Sequence, residues 1–326
     1  MTELSPQISK ANNEAPLLVL SATFSVLPRI QPLSSLNFDD ICDSEKCIGI
    51  FLLYKYYMLT LKIVSLNPET IPTCVEEMYK SSDSGETTDL LQIALMYEGI
   101  HLLSDGKQKA GLMNMLGDIC FKHCKPGNIN DLHRAVYLYS DAVQEARSTS
   151  DYNLVYWVNL GEALQSRFAR SGDIKDIGLS IQVFEDAVTQ ALDSHPDKPV
   201  LLGNLGFSLW LHFRQQGDYV DLIRSIQMME NALMLVPDGS PCKSTILDNL
   251  GTSLRSHFEL LEDLADISRS VQLIEEAIIL TPEGHDKPSK LSNLGISLCS
   301  HYRQLGDPAD LDRSIQVIDA CSRWPC

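Results

Sequence analysis

Residues 204–227 read NLGFSLWLHFRQQGDYVDLIRSIQ, and the three blocks of this stretch return at a nearly fixed spacing along the chain. The first block, Asn-Leu-Gly, recurs with glycines 44, 45, 45 and 44 residues apart when a degraded Met-Leu-Gly copy is included. These glycines are Gly117, Gly161, Gly206, Gly251 and Gly295. A Gly-Asp pair follows in most copies, and an Asp-x-x-x-Ser-(Ile/Val)-Gln block comes next. Three blocks in one register establish an internal repeat.

Each repeat is predicted to form two helices joined by a short turn. Apolar residues fall at steps of three and four on both sides of the Gly-Asp pair, which is typical of two amphipathic helices. In the second repeat they are Trp157, Leu160, Leu164 and Phe168 before the turn, and Ser180, Phe184, Ala187 and Ala191 after it. Asp173 is predicted to cap the second helix, with Asp176 as the acid of a capping box. The repeat glycine is predicted to let the two helices approach closely.

The blocks resemble the tetratricopeptide (TPR) pattern, in which W-x2-L-G-x2-Y precedes A-x3-F and then P. Trp157, Leu160, Gly161 and Leu164 occupy the first block, with Leu in place of Tyr, and Ser180 stands in place of Ala in the second. The usual repeat has roughly 34 residues, and these repeats are about ten longer. In this respect they are similar to the long-repeat arrays of large fungal TPR proteins and of kinesin light chains.

The resemblance implies an all-α fold, a right-handed α-solenoid of stacked antiparallel helix hairpins whose first helices line a concave surface. It covers residues 89–321 as a half repeat, with residues 89–103 as a lone second helix, followed by five hairpins. Residues 1–88 stay unassigned between a helical cap, a poorly ordered tail and a mis-assigned coding region. Residues 322–326 form a tail at which the array stops abruptly. That abrupt end predicts a fragment of a longer protein and self-association through the uncapped last repeat.

One polar column accompanies the glycines, two residues before each of them. Because an Asn amide donates and accepts at once, such a column is a candidate for holding an extended peptide by its backbone. In the competing interpretation each Asn bonds the neighbouring helix and sets the spacing of the repeats. No paired Lys and Arg accompany the column, so the dedicated TPR clamp for C-terminal carboxylates is not expected. The candidate peptide-binding residues are Asn159, Asn204, Asn249 and Asn293.

Composition narrows the choice of partners and of compartment. Lys plus Arg number 26 against 43 Asp plus Glu, which gives a formal net charge of −17. That charge argues against nucleic acid and anionic membranes and favours a protein or peptide partner. Residues 16–27 and 49–66 are apolar, but acidic residues precede the first and lysines interrupt the second, so no membrane segment is predicted. Nine cysteines without paired spacing predict reduced thiols in a cytoplasmic protein.

The sequence offers no constellation for catalysis. A recurrent histidine column comprises His123, His212, His257 and His301, with Arg167 at the matching place, but packed helices stand roughly 10 Å apart. Shared metal coordination needs distances of about 2 Å, so no metal site is expected. Cys120 and Cys321 fall on packing faces and are predicted to be core residues. No nucleophile elbow or phosphate-binding glycine loop occurs, and no cofactor is predicted.

These observations predict a non-catalytic scaffold that binds a polypeptide in the concave face of a TPR-like solenoid. The alternative is a sensor or regulatory arm of a larger multidomain protein, because some of the fungal arrays carry a caspase-like domain after the repeats.

Overall fold

The structure is a computed structural model that describes residues 67–83, 90–122, 124, 129–150, 153–282 and 286–322. Within these ranges the chain forms twelve α-helices and no β-strand, so the predicted all-α helical-repeat fold is confirmed. No helix in these ranges is long and apolar enough to cross a membrane. The apolar segments 16–27 and 49–66 lie outside them. The helices are α1 Ile71–Asp83, α2 Leu90–His101, α3 Gly106–Lys122, α4 Asn130–Ser148, α5 Val155–Ser171, α6 Ile174–Gln190, α7 Lys198–Gln216, α8 Tyr219–Leu235, α9 Lys243–Leu261, α10 Leu264–Leu280, α11 Asp286–Leu305 and α12 Pro308–Ser322.

The chain divides into two compact units, Met1–Ala163 and Leu164–Cys326. In the first unit α3 and α4 pack as a hairpin, and α1 packs against both α2 and α3. The predicted lone second helix is α2, which buries Ile93 and Ile100. The helix α1 lies in the unassigned segment 1–88, and it buries Ile71, Val75 and Met78. The domain boundaries drawn from the sequence stay a prediction.

The second unit stacks three complete hairpins, α7–α8, α9–α10 and α11–α12, and α6 packs against α7. Consecutive hairpins are joined because the second helix of one packs on the first helix of the next: α8 on α9 and α10 on α11. Between these hairpins the core consists of residues at the predicted helical spacing, including Leu202, Met229, Ile246, Leu250 and Leu254. The handedness of the solenoid stays a prediction.

The Gly-Asp pair works as the sequence predicts, with one correction. Gly217 ends α7 in the left-handed conformation (φ 75°), and Asp218 caps α8 by accepting a hydrogen bond from a backbone N–H. Asp173 caps α6 in the same way. The capping-box role predicted for Asp176 is wrong, because its carboxylate accepts from the Arg167 side chain. The backbone N–H of Asp173 donates instead to Ser171 Oγ at 3.1 Å.

The repeat glycines permit the close approach that the sequence predicts. A Cβ added at Gly206 would lie 2.7 Å from Met229 Cγ and 3.0 Å from the backbone oxygen of Ser225, both on α8. At Gly251 the nearest atom would be Ile274 Cγ1, at 2.6 Å. Real Cβ atoms do not tolerate such distances, so a side chain there would force the helices of the hairpin apart.

Serines that replace the family's alanine form a buried seam along the second unit. Ser180 Oγ lies 2.9 Å from Ser208 Oγ, and Ser225 Oγ lies 3.1 Å from Ser253 Oγ. Each pair joins a second helix to the first helix of the following repeat. These hydroxyls are fully buried, and a buried hydroxyl is stable only when it is hydrogen-bonded. We call these residues, with the pair Ser270–Ser297 at 3.1 Å, the serine seam.

Candidate binding face on the first helices

The first helices of the second unit present one side that carries both polar and apolar residues, which we call the first-helix face. It is defined by positions two before, one after and four after the repeat glycines, which fall on one side of each helix, and it includes Arg214 at the end of α7. We call the residue four positions after each repeat glycine the Gly+4 position. The first-helix face comprises Gln165, Asn204, Phe207, Trp210, Arg214, Asn249, Thr252, Arg255, Asn293, Ile296 and Cys299.

Two of the four predicted asparagines bond the preceding first helix. Asn293 Nδ2 on α11 donates to both carboxylate oxygens of Asp248 on α9, at 3.1 and 3.0 Å. In the first unit Asn159 Nδ2 donates to Asn114 Oδ1 at 3.0 Å and to Asp118 Oδ1 at 3.2 Å. Asn114 and Asp248 stand at the same repeat position, one residue before the asparagine column. At these two positions the amide therefore links neighbouring repeats.

Asn249 lies in a different environment from these two asparagines. Asn249 is half-buried, and its side chain makes no hydrogen bond within the described ranges. The residue opposite it, at the position that Asp248 occupies for Asn293, is Gly203, which offers no side-chain partner. Asn204 is also half-buried, and its backbone oxygen accepts from Gln165 Nε2 at 3.2 Å. The peptide-binding role of the column stays a prediction, and Asn249 is the member whose amide is best placed for it.

The Gly+4 position carries a different side chain in every repeat. Gln165 Nε2 donates to Ser208 Oγ at 2.8 Å as well as to the Asn204 oxygen. Trp210 Nε1 donates to Ser256 Oγ at 3.0 Å, so it too reaches the next first helix. Arg255 at the same position of the following repeat makes no hydrogen bond in the part of the chain that the structure describes.

An aromatic cluster borders this position on α7. The rings of Phe207 and Trp210 stack with centroids 5.8 Å apart, and the Arg214 guanidinium lies 5.2 Å from the Trp210 ring centroid. Stacking and cation–π contacts of this kind hold the Trp210 ring in place on the face. Arg214 itself is exposed, so its charge is available at the surface.

The histidine column is explained by pairing inside each hairpin. His212 Nδ1 lies 2.6 Å from Asp221 Oδ2, and His257 Nδ1 lies 2.5 Å from Asp266 Oδ2. His301 pairs with Asp310 in the same way at 2.6 Å, and Arg167 replaces histidine opposite Asp176. Each pair is nine residues apart, a recurrent spacing that the sequence contains but that sequence reasoning missed. His123 lies outside the described residues.

A row of ion pairs joins successive second helices, and sequence reasoning missed it as well. Arg224 Nη2 donates to Glu185 Oε1 at 2.5 Å, and Arg269 Nη1 donates to Glu230 Oε1 at 2.7 Å. Arg313 donates to Glu275 in the following repeat. Separations of 39, 39 and 38 residues in the sequence are the signal of this row. Because these side chains are largely exposed, each pair contributes little to stability.

Among the described residues no cluster of His, Cys, Asp or Glu could hold a metal ion. Cys120 is buried, and burial raises the pKa of its thiol to about 12, which fits the predicted role in the core. Burial also raises the pKa of Asp248, although the Asn293 hydrogen bonds and the charges of Lys290 and Arg255 lower it in part. The ring nitrogen of Trp157 is buried without a partner in the described ranges, so this residue fills the core of its unit.

The described residues form a helical-repeat array of hairpins, and three solved structures are similar to the chain. The nearly identical TPR-like repeats of a Podosopora anserina protein match at 11% identity over 68% of this chain and 100% of that one, with a TM-score of 0.46. BtubC (BKLC) from P. vanneervenii matches at 16% identity over 80% and 94%, with a TM-score of 0.45. Nro1, a nuclear import adaptor, matches at 13% identity over 84% and 93%, with a TM-score of 0.38. No family model matches the sequence, and no curated protein matches it.

Proposed function

We propose that the chain is a non-catalytic protein-interaction scaffold that binds a polypeptide along the first-helix face. The observation that supports this function most directly is the half-buried amide of Asn249, which makes no hydrogen bond among the described residues. A peptide backbone offers one donor and one acceptor per residue, which match the two halves of an Asn amide. Asn204, at the same position one repeat earlier, extends the row toward the aromatic pair of Phe207 and Trp210.

The same observations restrict the nature of the partner. Hydrogen bonds from neutral side-chain amides contact the backbone of a bound peptide and do not select its side chains. Salt screens such uncharged interactions only weakly. The net charge of −17 disfavours nucleic acid and strongly acidic polypeptides, since the field of the whole protein repels them. We place this activity in the cytoplasm, where reduced thiols persist, since the described cysteines are free.

The experiment is a selection of peptides from a displayed random library on the immobilised full chain, followed by affinity measurement with one selected peptide. The double change of Asn204→Ala and Asn249→Ala should weaken binding by about 1–3 kcal/mol, roughly five- to 150-fold, because each lost hydrogen bond contributes about 0.5–1.5 kcal/mol. The matched control is Gln215→Ala, which removes an exposed amide at the end of α7 and should leave the affinity unchanged. No selected peptide, or equal affinity of the double variant, counts against the proposal.

A specific observation supports self-association as a second property. Ile315 and Ile318 on α12 are 51% and 48% exposed, whereas Val271 and Ile274, their counterparts on α10, are buried against Leu294 of α11. An apolar face that is covered in the preceding repeat favours association of copies. Light scattering of the full chain should show oligomers that Ile315→Lys dissociates, and a monomer at high protein concentration would contradict the idea.

A further inference from the structure

Arg255 is the least satisfied charged group on the first-helix face. Only 5% of its surface is exposed, and its Nε and Nη1 atoms are buried without an acceptor in the described ranges. The carboxylate of Glu259 lies 3.8 Å from Nε, which is beyond hydrogen-bonding distance. Native proteins rarely leave a buried guanidinium without hydrogen bonds, because removing the charge from water is unfavourable unless a partner replaces the water.

The surrounding charges do not supply that partner. Asp248 is already bound by both hydrogen bonds from Asn293. Arg214 adds a second positive charge nearby. Burial and, to a smaller extent, Arg214 lower the pKa of the Arg255 guanidinium, while Glu259 and Asp248 raise it without cancelling the effect. An added anion beside Arg255 would therefore stabilise its guanidinium.

The Gly+4 side chains of the two preceding repeats differ from Arg255 because they bond the next first helix. Gln165 and Trp210 occupy the Gly+4 position in the two preceding repeats, and each donates to the next first helix. Arg255 has the longer reach and more donors than either, yet it makes no such bond. Its guanidinium therefore has hydrogen-bond donors without acceptors in the described ranges. The exposed Arg214 lies over the ring of Trp210, the Gly+4 residue of the preceding repeat.

We propose that Arg255 and Arg214 form a subsite for a single carboxylate of the bound polypeptide, next to the stacked rings of Phe207 and Trp210. This inference rests on the proposed function and adds the chemistry of one ligand group to it. A guanidinium pairs with a carboxylate through charge-assisted and often bidentate hydrogen bonds. Because the whole chain is strongly acidic, the ligand is an otherwise neutral or basic peptide with one carboxylate, on a side chain or at its C-terminus.

The test uses the full chain and three short synthetic peptides of glycine and serine. One peptide has a single glutamate and an amidated C-terminus, one has a free C-terminal carboxylate without acidic side chains, and one has glutamine and an amidated C-terminus. NMR of isotope-labelled arginine side chains reports on the Arg255 Nε–H, which Arg255→Lys identifies by its loss. We expect a saturable shift of this signal with at least one carboxylate peptide and none with the glutamine peptide. The peptide that acts identifies the source of the carboxylate.

The variants separate this inference from its alternatives. Arg255→Gln should weaken binding of the active peptide at least about tenfold, and Arg303→Gln, at an exposed arginine of α11, should leave it unchanged. Arg255→Met should keep or raise the thermal midpoint, because it removes an unpaired buried charge. No shift with either carboxylate peptide, or an equal shift with the glutamine peptide, overturns the subsite. The subsite is also overturned if the Arg255→Gln variant binds a library-selected peptide as tightly as the native chain does. That result would leave the proposed function intact.

Discussion

In the second unit the serine seam repeats the same residues at each junction, whereas the Gly+4 position of the first-helix face changes in every repeat. Ser225 and Ser270 occupy one position, and each Oγ lies 3.1 Å from a serine Oγ of the next first helix. Trp210 and Arg255 also occupy one position, but the first donates to the next helix and the second does not. Uniform residues at a buried seam are what stacking requires, since each repeat contacts only its neighbours. The variable residues belong to the face for which we propose binding, and the predictions below separate that role from stacking.

The largest effect is expected where the helices of a hairpin approach most closely. Gly206→Leu should lower the free energy of unfolding by about 3 kcal/mol, the upper end of the range for overpacking, because Met229 and the Ser225 backbone already fill the space. Chemical denaturation measures the change, and the loss should extend to adjacent repeats.

A glycine with open space around it is the control for that substitution. Nothing lies within 4 Å of a Cβ added at Gly178, inside α6, so Gly178→Ala should stabilise by about 0.4–1 kcal/mol. Equal destabilisation by both changes would refute the account of close approach at Gly206.

A smaller loss is expected at the serine seam. Ser225→Ala leaves the buried Ser253 Oγ with only its long contact to Met229 Sδ at 3.8 Å, and a poorly satisfied buried group reduces stability by about 1–3 kcal/mol. Ser225→Ala combined with Ser253→Ala should be less destabilising than the sum of the two single changes, since no orphaned hydroxyl remains. Strict additivity in this double-mutant cycle would show that the two hydroxyls do not interact.

A still smaller effect depends on pH and concerns Asp248. Burial raises the pKa of its carboxyl in the folded state above the ordinary value of about 3.9, so the folded protein holds the proton more tightly than the unfolded chain does. Stability from this group is therefore present at low pH and lost as the pH rises through the raised pKa. Asp248→Asn should gain in thermal midpoint relative to the native chain between about pH 3 and about pH 7.

Asp312→Asn, which replaces an exposed carboxylate on α12, serves as the control for the pH series. Its difference from the native chain should vary less over the same range. A difference for Asp248→Asn that does not change with pH would contradict the assignment of a raised pKa to the folded state.

The sequence predicted the fold well because its signals are local and periodic. The spacing of the Asn-Leu-Gly blocks located the hairpins, and Gly206 and Asp218 have the roles that their residue types suggest. The capping role of Asp176 failed because a side chain nine residues earlier competes for its carboxylate. The helix α1 has no motif at all. The burial of Arg255 depends on packing between neighbouring repeats, which a single repeat pattern does not contain.

One prediction from the sequence extends beyond the fold. The regulatory arm of a larger multidomain protein stays a prediction. The division between residues that stack the repeats and residues that we propose bind a peptide can be measured within the asparagine column. That column contains one asparagine that links two repeats and one that makes no such link. Asn293 is bonded to a buried carboxylate, and Asn249 is not bonded in the described part of the chain.

The decisive measurement determines thermal midpoint and affinity for one library-selected peptide on the same two variants. Asn293→Ala should lower the midpoint, because Asp248 loses two hydrogen bonds, and should bind the peptide normally at low temperature. Asn249→Ala should keep the midpoint and weaken binding by about 0.5–1.5 kcal/mol, roughly two- to twelvefold. If Asn249→Ala instead lowers the midpoint and binds the peptide as tightly as the native chain, the column sets the spacing of the repeats and the first-helix face does not hold a peptide through it.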